Sequence, residues 1–149
     1  MELDDILIAR KHFTACSFIF PAQNGFIDLD VEVIDGSERL ILTINRKGQI
    51  RLDRCSFLER HRNYSLIRLD LDKTKWHTNP NGQVIKGPHI HVYHRDYSDK
   101  LAYPIGEAPI LFTQNQKLFQ NIDDLLQTFL DFAIYCNIDT NIDIGGEFL

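Results

Sequence analysis

The sequence predicts an α+β domain in which an antiparallel β-meander is covered on one face by a C-terminal helix and leaves its other, polar face open. Two patterns lead to this fold class. Residues 26–33, "FIDLDVEV", alternate apolar and acidic residues like a half-buried strand, and residues 121–137 repeat apolar residues at helical spacing. The length of 149 residues fits a single domain, residues 1–149, whose core needs no disulfide or structural metal.

The first half of the chain is predicted to form a short helix and then consecutive hairpins. The helix covers Leu3–Phe13 and has acidic residues in its first turn. The strand at 26–33 turns at "DGSE" and returns as "RLILTIN", and "RKGQ" makes the next turn before "IRLDRCSFLER". Because short turns join antiparallel neighbours, these strands predict a meander.

In the second half, two more strands precede the main helix. "SLIRLDLD" at 65–72 and "HIHVYH" at 89–94 again alternate apolar and polar residues. Residues 73–88 between them are predicted to be a long loop, since they hold two glycines and two prolines. Residues 105–112 are predicted to be a loop with one short strand.

The C-terminal helix is predicted from both its start signal and its apolar spacing. Asn121 is the expected N-cap, with Asp123 and Asp124 in the first turn, where the helix dipole favours acids. The apolar stripe that follows is predicted to pack on the apolar face of the sheet.

The cysteines and the N-terminus indicate a cytoplasmic protein. Cys16, Cys55 and Cys136 are an odd number, lie far apart and form no Cys-x-x-Cys pair, so they are predicted to be buried small hydrophobes. The first ten residues carry acids where a secretory signal carries bases, and no apolar stretch approaches the roughly 20 residues that span a bilayer. We therefore expect a reducing compartment and no membrane segment.

Charge is distributed unevenly along the chain. The net charge is −5, yet residues 46–75 carry nine basic against four acidic residues and run into the histidine-rich strand. This basic middle segment is predicted to meet any anionic partner, such as a nucleic acid. The alternative is a solvated face with its own local ion pairs.

The histidine-rich strand predicts a cluster of polar side chains. If Ile90 and Val92 face the core, then His89, His91 and Tyr93 project together from the other face. On the strand at 65–72, alternation places Arg68 and Asp70 on this same polar face. A fold-back of residues 73–88 would make the two strands neighbours and would bring His77 over the cluster.

Such a cluster suits two kinds of chemistry. His77, His89, His91 and Asp70 offer the nitrogen and oxygen ligands that zinc, manganese or iron accept. Without a metal, one imidazole accepts a proton and another donates it, while Arg68 neutralises a phosphate in the transition state and Asp70 holds a histidine tautomer. Both chemistries suit cleavage of a phosphodiester.

A structural interpretation stands beside the functional one. Exposed strands carry His, Arg and Tyr as cross-strand pairs, and a bare His-x-His motif is weakly specific. Trp76 is predicted to be a hydrophobic plug over a sheet edge, with stacking on a base as the alternative. His12, His61 and His94 are predicted to be incidental.

Several motifs occur in a specific order along the chain: "RCSF" at 54–57, "LIRLDLD" at 66–72, "HTNPNGQ" at 77–83, "GPHIHVY" at 87–93, "DKLAYPI" and a helix that ends in "YCNI". In these motifs the chain resembles a family of uncharacterised domains found in bacteria and their mobile elements. A weaker likeness is to small RNase-like toxins of toxin–antitoxin loci. It implies a ribonuclease-like site at Arg68, Asp70, His77, His89 and His91.

Two functional hypotheses follow. The first is a small phosphodiesterase or RNase-like protein of the toxin or defence type, with its site on the open sheet face and with Tyr93 beside the histidines. The second is a non-catalytic binding protein of a phage or mobile element that inhibits a host defence complex, in which the histidine strand is an interface.

Overall fold

The computed structural model describes residues 1–46, 55–114 and 116–146. Within them lie the helices α1 (Leu3–Ile8) and α2 (Leu125–Tyr135) and a 3-10 turn at Ile105–Glu107. The strands are β1 (Lys11–Phe13), β2 (Ser17–Ile19), β3 (Phe26–Val33), β4 (Arg39–Asn45), β5 (Ser56–His61), β6 (Tyr64–Asp70), β7 (Trp76–Thr78), β8 (Val84–Lys86), β9 (His89–Val92), β10 (Ala102–Pro104), β11 (Ile138–Asp139) and β12 (Asp143–Gly145).

One large sheet organises the fold. Its strand order is β10-β9-β6-β5-β4-β3-β1-β11, and two-stranded pairs of β12 with β2 and of β7 with β8 accompany it. The large sheet is antiparallel from β10 to β1, and β11 joins β1 in parallel. The consecutive pairing of β3, β4, β5 and β6 confirms the predicted meander, and the α+β fold class is confirmed.

The hydrophobic core lies between one face of this sheet and α2. Alternation in β3 and β4 turns Val31, Leu42 and their same-face neighbours inward, where they are buried. Phe129 of α2 is fully buried, and four other phenylalanine rings lie at centroid distances of 5.4 to 6.2 Å from it. The C-terminal helix therefore covers the apolar face, as its spacing predicts.

A buried ion pair joins several elements at the edge of this core. The Nζ atom of Lys11 lies 3.3 Å from Oε2 of Glu59, and both side chains are 0% exposed. The same ammonium donates hydrogen bonds to the carbonyls of Leu7 and Cys136 at 3.1 and 2.8 Å. Burial raises the pKa of Glu59 to about 7. The pair ties α1, the end of α2 and β5 to β1.

Both predicted helices are shorter than expected. The N-terminal helix ends at Ile8 because Ala9 has extended backbone angles of φ −62° and ψ 146°. The following residues pair as β1 with β3 instead. The C-terminal helix has Asp124 rather than Asn121 as its N-cap, because the Asp124 carboxylate accepts a hydrogen bond from the Gln127 backbone N–H at 3.0 Å.

Several connecting segments also differ from the prediction. Residues 73–88 hold the hairpin of β7 and β8, and 105–112 begin with the 3-10 turn, the nearby strand being β10. The strands β2, β11 and β12 are two or three residues long. Such strands are too short to show the alternation of apolar and polar residues from which a strand is predicted. The predicted "RKGQ" turn and the start of "IRLDRCSFLER" lie outside the described residues, apart from Arg46.

The three cysteines differ in exposure. Cys55 and Cys136 are buried, as predicted, and burial raises the pKa of the Cys55 thiol to about 12. Cys16 is exposed, so the prediction is wrong for this residue. In the described ranges, no helix combines the length and the apolar character needed to cross a membrane.

Candidate functional site

The two strands that carry the predicted site are antiparallel neighbours, as predicted. Their register sets Arg68 of β6 opposite His91 of β9, and Asp70 opposite His89. Directly opposed residues project to the same face, here the face opposite the core residues of these strands. The predicted contact between site side chains is present, since Nη2 of Arg68 lies 3.0 Å from Nε2 of His91.

The β7–β8 hairpin holds His77 against this face. The His77 ring centroid lies 4.5 Å from that of His91 and 5.8 Å from that of His89, and the last two are 5.0 Å apart. The side chain of buried Asn79 anchors the hairpin, because it donates to the carbonyl of Ala102 at 2.9 Å and accepts from its N–H at 2.8 Å. The three imidazoles therefore form a compact triangle.

The hairpin makes the polar face less open than predicted. His89 and His91 are only 3% and 2% exposed. A polar sheet face with a hairpin folded over part of it becomes a pocket, because the hairpin supplies a wall that the flat face lacks.

The hydrogen bonds of His91 assign its tautomer. Its Nδ1 lies 2.8 Å from the carbonyl oxygen of Asp99, which only accepts, so Nδ1 carries the proton. Its Nε2 then accepts from the Arg68 guanidinium, which only donates. Burial, followed by the charge of Arg68, lowers the pKa of His91 to about 4. His91 is therefore a neutral acceptor that orients Arg68.

His77 and His89 each keep one ring nitrogen without a partner among the described residues. Nδ1 of His89 lies 2.7 Å from the carbonyl oxygen of Gly87, and Nε2 of His77 lies 2.7 Å from that of Lys100. These carbonyls accept, so the bonded nitrogen carries a proton in each ring. Nε2 of His89 and Nδ1 of His77 remain for proton transfer.

Arg68 and Asp70 play different parts. Across the described ranges no carboxylate lies within ion-pair distance of Arg68, and its Nε is buried without a hydrogen-bond partner. Asp70 accepts from the backbone N–H of Asp72 at 3.0 Å and pairs with Lys75 at 3.5 Å. The prediction that Asp70 holds a histidine tautomer is wrong, because backbone carbonyls do so for all three rings.

Tyr93 does not join the histidines, which corrects its predicted position. Strand β9 ends at Val92, and the N–H of Tyr93 donates to the carbonyl of Leu66 at 2.7 Å. The pairing of β5 with β6 shifts register between Glu59 and Arg60, beside Leu66. Both Leu66 and Tyr93 pack with the hydrophobic core. A register irregularity of this kind ends simple alternation.

The site is a pocket of about 410 Å³ on the polar face. Trp76 lies at its rim and is 65% exposed, so the prediction that it plugs a sheet edge is wrong. The ammonium of Lys86 lies 4.6 Å from the centroid of the Trp76 ring. The lining residues are Thr43, Asn45, Ser56, Leu58, Arg68, Asp70, Lys75, Trp76, His77, His89 and His91.

The donor set does not fit a metal ion. Of the described His, Cys, Asp and Glu side chains, no three or more are grouped so that they could hold a metal. Both ring nitrogens of His91 already have protein partners, and the positive charge of the Arg68 guanidinium repels a cation at this place. The metal-ligand interpretation of His77, His89, His91 and Asp70 is therefore not supported by the geometry.

The basic middle segment does not form one continuous patch in its described part. Arg46 is buried and donates to the carbonyl of Pro21 at 2.9 Å. Lys73 pairs with Asp123 at 3.1 Å across the surface. The cations of this segment that line the pocket are Arg68 and Lys75.

The sequence places Asn79 over the polar face beside His77, but it does not predict the anchoring bonds of Asn79, the contribution of Lys75 or the position of Trp76. The signal for the hairpin that carries Asn79 and Trp76 is present in "NPNG", a turn sequence. Its Gly82 has a φ of 91°, which favours glycine. No local sequence pattern predicts that the Asn79 side chain forms hydrogen bonds with Ala102, 23 residues further along the chain.

Comparison with known proteins identifies the family of this chain. No curated protein matches the chain, and no solved structure matches it. A family model described as a family of unknown function (DUF6978) matches residues 1–138. That range includes the whole pocket and α2. The chain therefore belongs to this family of unknown function.

Proposed function

We propose that this protein is a metal-independent ribonuclease whose active site is the histidine pocket. The observation that carries the proposal is one pocket lined by an arginine that has no carboxylate partner among the described residues and by two imidazoles that, in the same part of the chain, each keep one nitrogen for proton transfer. An anion belongs beside such an arginine, and imidazoles transfer protons near neutral pH.

RNA supplies its own nucleophile, so the reaction needs only acid–base groups and an anion site. One imidazole of the pair His77 and His89 takes the proton from the ribose 2′-hydroxyl, and O2′ forms a bond to phosphorus. The bond from phosphorus to the 5′-oxygen breaks, and the other imidazole gives that oxygen a proton. The products are a 2′,3′-cyclic phosphate and a 5′-hydroxyl.

Arg68 and His91 support this step without transferring protons. The Arg68 guanidinium binds the non-bridging oxygens as negative charge develops. His91 is neutral and accepts a hydrogen bond from the same guanidinium at 3.0 Å. It therefore orients Arg68 and leaves its positive charge available to the phosphate, whereas a carboxylate partner would neutralise that charge. The reaction uses one protonated ring and one neutral ring of the remaining pair, His77 and His89.

The test is cleavage of a labelled RNA oligonucleotide by the purified protein in the presence of EDTA. We expect a 2′,3′-cyclic phosphate product and no cleavage of the matching DNA strand. His77→Ala and His89→Ala should each lower the cleavage rate by about a hundredfold to ten-thousandfold, the usual contribution of an acid or base. His91→Gln, which keeps an acceptor for Arg68, should retain more activity than His91→Ala.

His12→Gln is the matched control, because this histidine lies on β1, which four strands separate from β9 in the sheet. It should keep the cleavage rate of the natural protein, and circular dichroism should show every variant folded. Cleavage that EDTA abolishes, or that survives the double change His77→Ala and His89→Ala, contradicts the proposal. A folded protein that neither binds nor cleaves RNA would favour the alternative, a non-catalytic protein that binds a host complex.

A further inference from the structure

The exposed tryptophan at the pocket rim is a large aromatic surface beside the proposed phosphate site. Trp76 is 65% exposed, although tryptophan is highly buried on average. It lines the same pocket as Arg68, and it directly precedes His77 on β7. An aromatic ring held in water at the rim of a charged pocket is suited to a ligand that carries both an aromatic ring and an anionic group.

One side of the indole already has a cationic neighbour. Lys86 is the cross-strand partner of Trp76 in the hairpin, and its ammonium lies 4.6 Å from the ring centroid. Such a cation–π contact limits the orientations of the ring and adds positive charge next to it. Positive charge interleaved with an exposed aromatic ring is the pattern that binds unpaired nucleotides, because bases stack on the ring while phosphates meet the cations.

We infer that Trp76 is a stacking platform for an unpaired nucleobase next to the phosphate bound by Arg68, so that the substrate is single-stranded nucleic acid. This inference rests on the proposed function and adds the substrate class. Bases inside a duplex are covered by their neighbours on both faces, whereas an unpaired base can be splayed out to stack on an aromatic side chain.

The hairpin couples the platform to the proton-transfer site. Trp76 and His77 are consecutive residues on β7, and Asn79 anchors this strand to β10 through two hydrogen bonds. A base stacked on Trp76 therefore has a defined position relative to His77. Trp76 is thus a specificity-determining residue that positions the strand in the pocket, while the proton transfer belongs to the imidazoles.

The test measures binding separately from cleavage. The probe is a single-stranded 2′-O-methyl hexanucleotide, which lacks the free 2′-hydroxyl needed for cleavage, and the readout is the fluorescence of Trp76, the only tryptophan of the chain. We expect quenching on binding. An abasic 2′-O-methyl strand of equal length and charge should bind about tenfold to a hundredfold more weakly, because stacking is lost. The duplex form of the hexanucleotide should also bind more weakly.

Variants of the hairpin supply the controls, with binding followed by fluorescence anisotropy of an end-labelled strand. Trp76→Ala should weaken binding of the hexanucleotide about tenfold to a hundredfold, and Trp76→Phe should recover part of it. Val84→Ala, at another exposed position of the same hairpin, should leave the affinity unchanged. Trp76→Ala should raise the KM for RNA cleavage far more than it lowers kcat.

The outcomes separate the two proposals. Equal affinity of the natural protein and Trp76→Ala, or of the base-bearing and abasic strands, overturns the stacking platform even if RNA is cleaved. Binding that depends on Trp76 in a protein that cleaves no RNA supports the platform and overturns the ribonuclease. Tighter binding of the duplex than of the single strand overturns the inferred substrate class.

Discussion

Replacing His91 by glutamine tests whether this imidazole is the neutral acceptor of Arg68. Burial and then the charge of Arg68 lower the pKa of His91 from 6.5 to about 4. Below pH 6.5 the unfolded chain binds a proton at this residue and the folded protein does not, so acidification towards pH 4 favours unfolding. Above pH 6.5 the imidazole is neutral in both states and makes no such contribution.

The magnitude follows from the difference between the two pKa values. At about pH 5, holding this group neutral costs about 2 kcal/mol of unfolding free energy, since one pKa unit corresponds to about 1.4 kcal/mol. Water at the pocket mouth screens part of the interaction with Arg68, so we expect a loss of about 1 to 2 kcal/mol. Glutamine offers an oxygen to Arg68 and has no titrating group, so His91→Gln should lack this loss.

The assay is urea unfolding followed by far-UV circular dichroism, for both proteins, at about pH 7.5 and about pH 5. Glu59 acts in the opposite direction, because its raised pKa, about 7, makes stability fall as pH rises from 4.5 to 7. Its contribution cancels in the difference between the two proteins. Nuclear magnetic resonance of the His91 ring gives its pKa directly, and Arg68→Met should raise that pKa. An imidazole that titrates near 6.5, or an equal acid-induced loss in both proteins, would refute the reasoning.

Three further predictions concern the scaffold and are checked by urea unfolding at constant temperature. Phe129→Ala should cost about 3 to 5 kcal/mol, because it leaves a cavity among four phenylalanine rings; a cost below about 1 kcal/mol would contradict the packing. Lys11→Met should cost about 3 to 5 kcal/mol at about pH 8 by leaving Glu59 buried without a cation, and Glu59→Leu in the same chain should recover part of that cost. Asn79→Ala should cost about 1 to 3 kcal/mol by leaving backbone groups of β10 unpaired, and it should also slow RNA cleavage by displacing His77. Full cleavage by a destabilised Asn79→Ala protein would contradict the anchoring role.

The sequence alone predicts the features that depend on local periodicity. Side chains of a strand alternate between faces, so the pattern from Leu66 to Asp72 and from His89 to His94 assigns Arg68, Asp70, His89, His91 and Tyr93 to one polar face, which is wrong only for Tyr93 among these five. The face opposite is apolar, and burial of that face fixes which parity points inward. The helix that covers it repeats apolar residues at its own period. These predictions agree with the fold because the period of apolar residues in a strand or helix shows which side chains face the core.

Tertiary structure decides the features that depend on partners far away in the chain. The shape of the pocket comes from the hairpin at 76–86, which Asn79 fastens to β10 through bonds that span 23 residues. Tyr93 leaves the polar face because of a register shift in the neighbouring pair of strands. No periodicity within a strand carries that information.

The chemical states of the side chains also come from tertiary structure. Composition cannot distinguish an imidazole that titrates from one that is held neutral, because the difference lies in burial and in the charge of Arg68, a residue 23 positions away from His91. In the same way, strand register places Asp70 opposite His89, but the Asp70 carboxylate forms its ion pair with Lys75. The sequence alone therefore determined which residues share a face, and tertiary structure determined which of them remain able to react, because hydrogen bonds and desolvation depend on groups brought together only by folding.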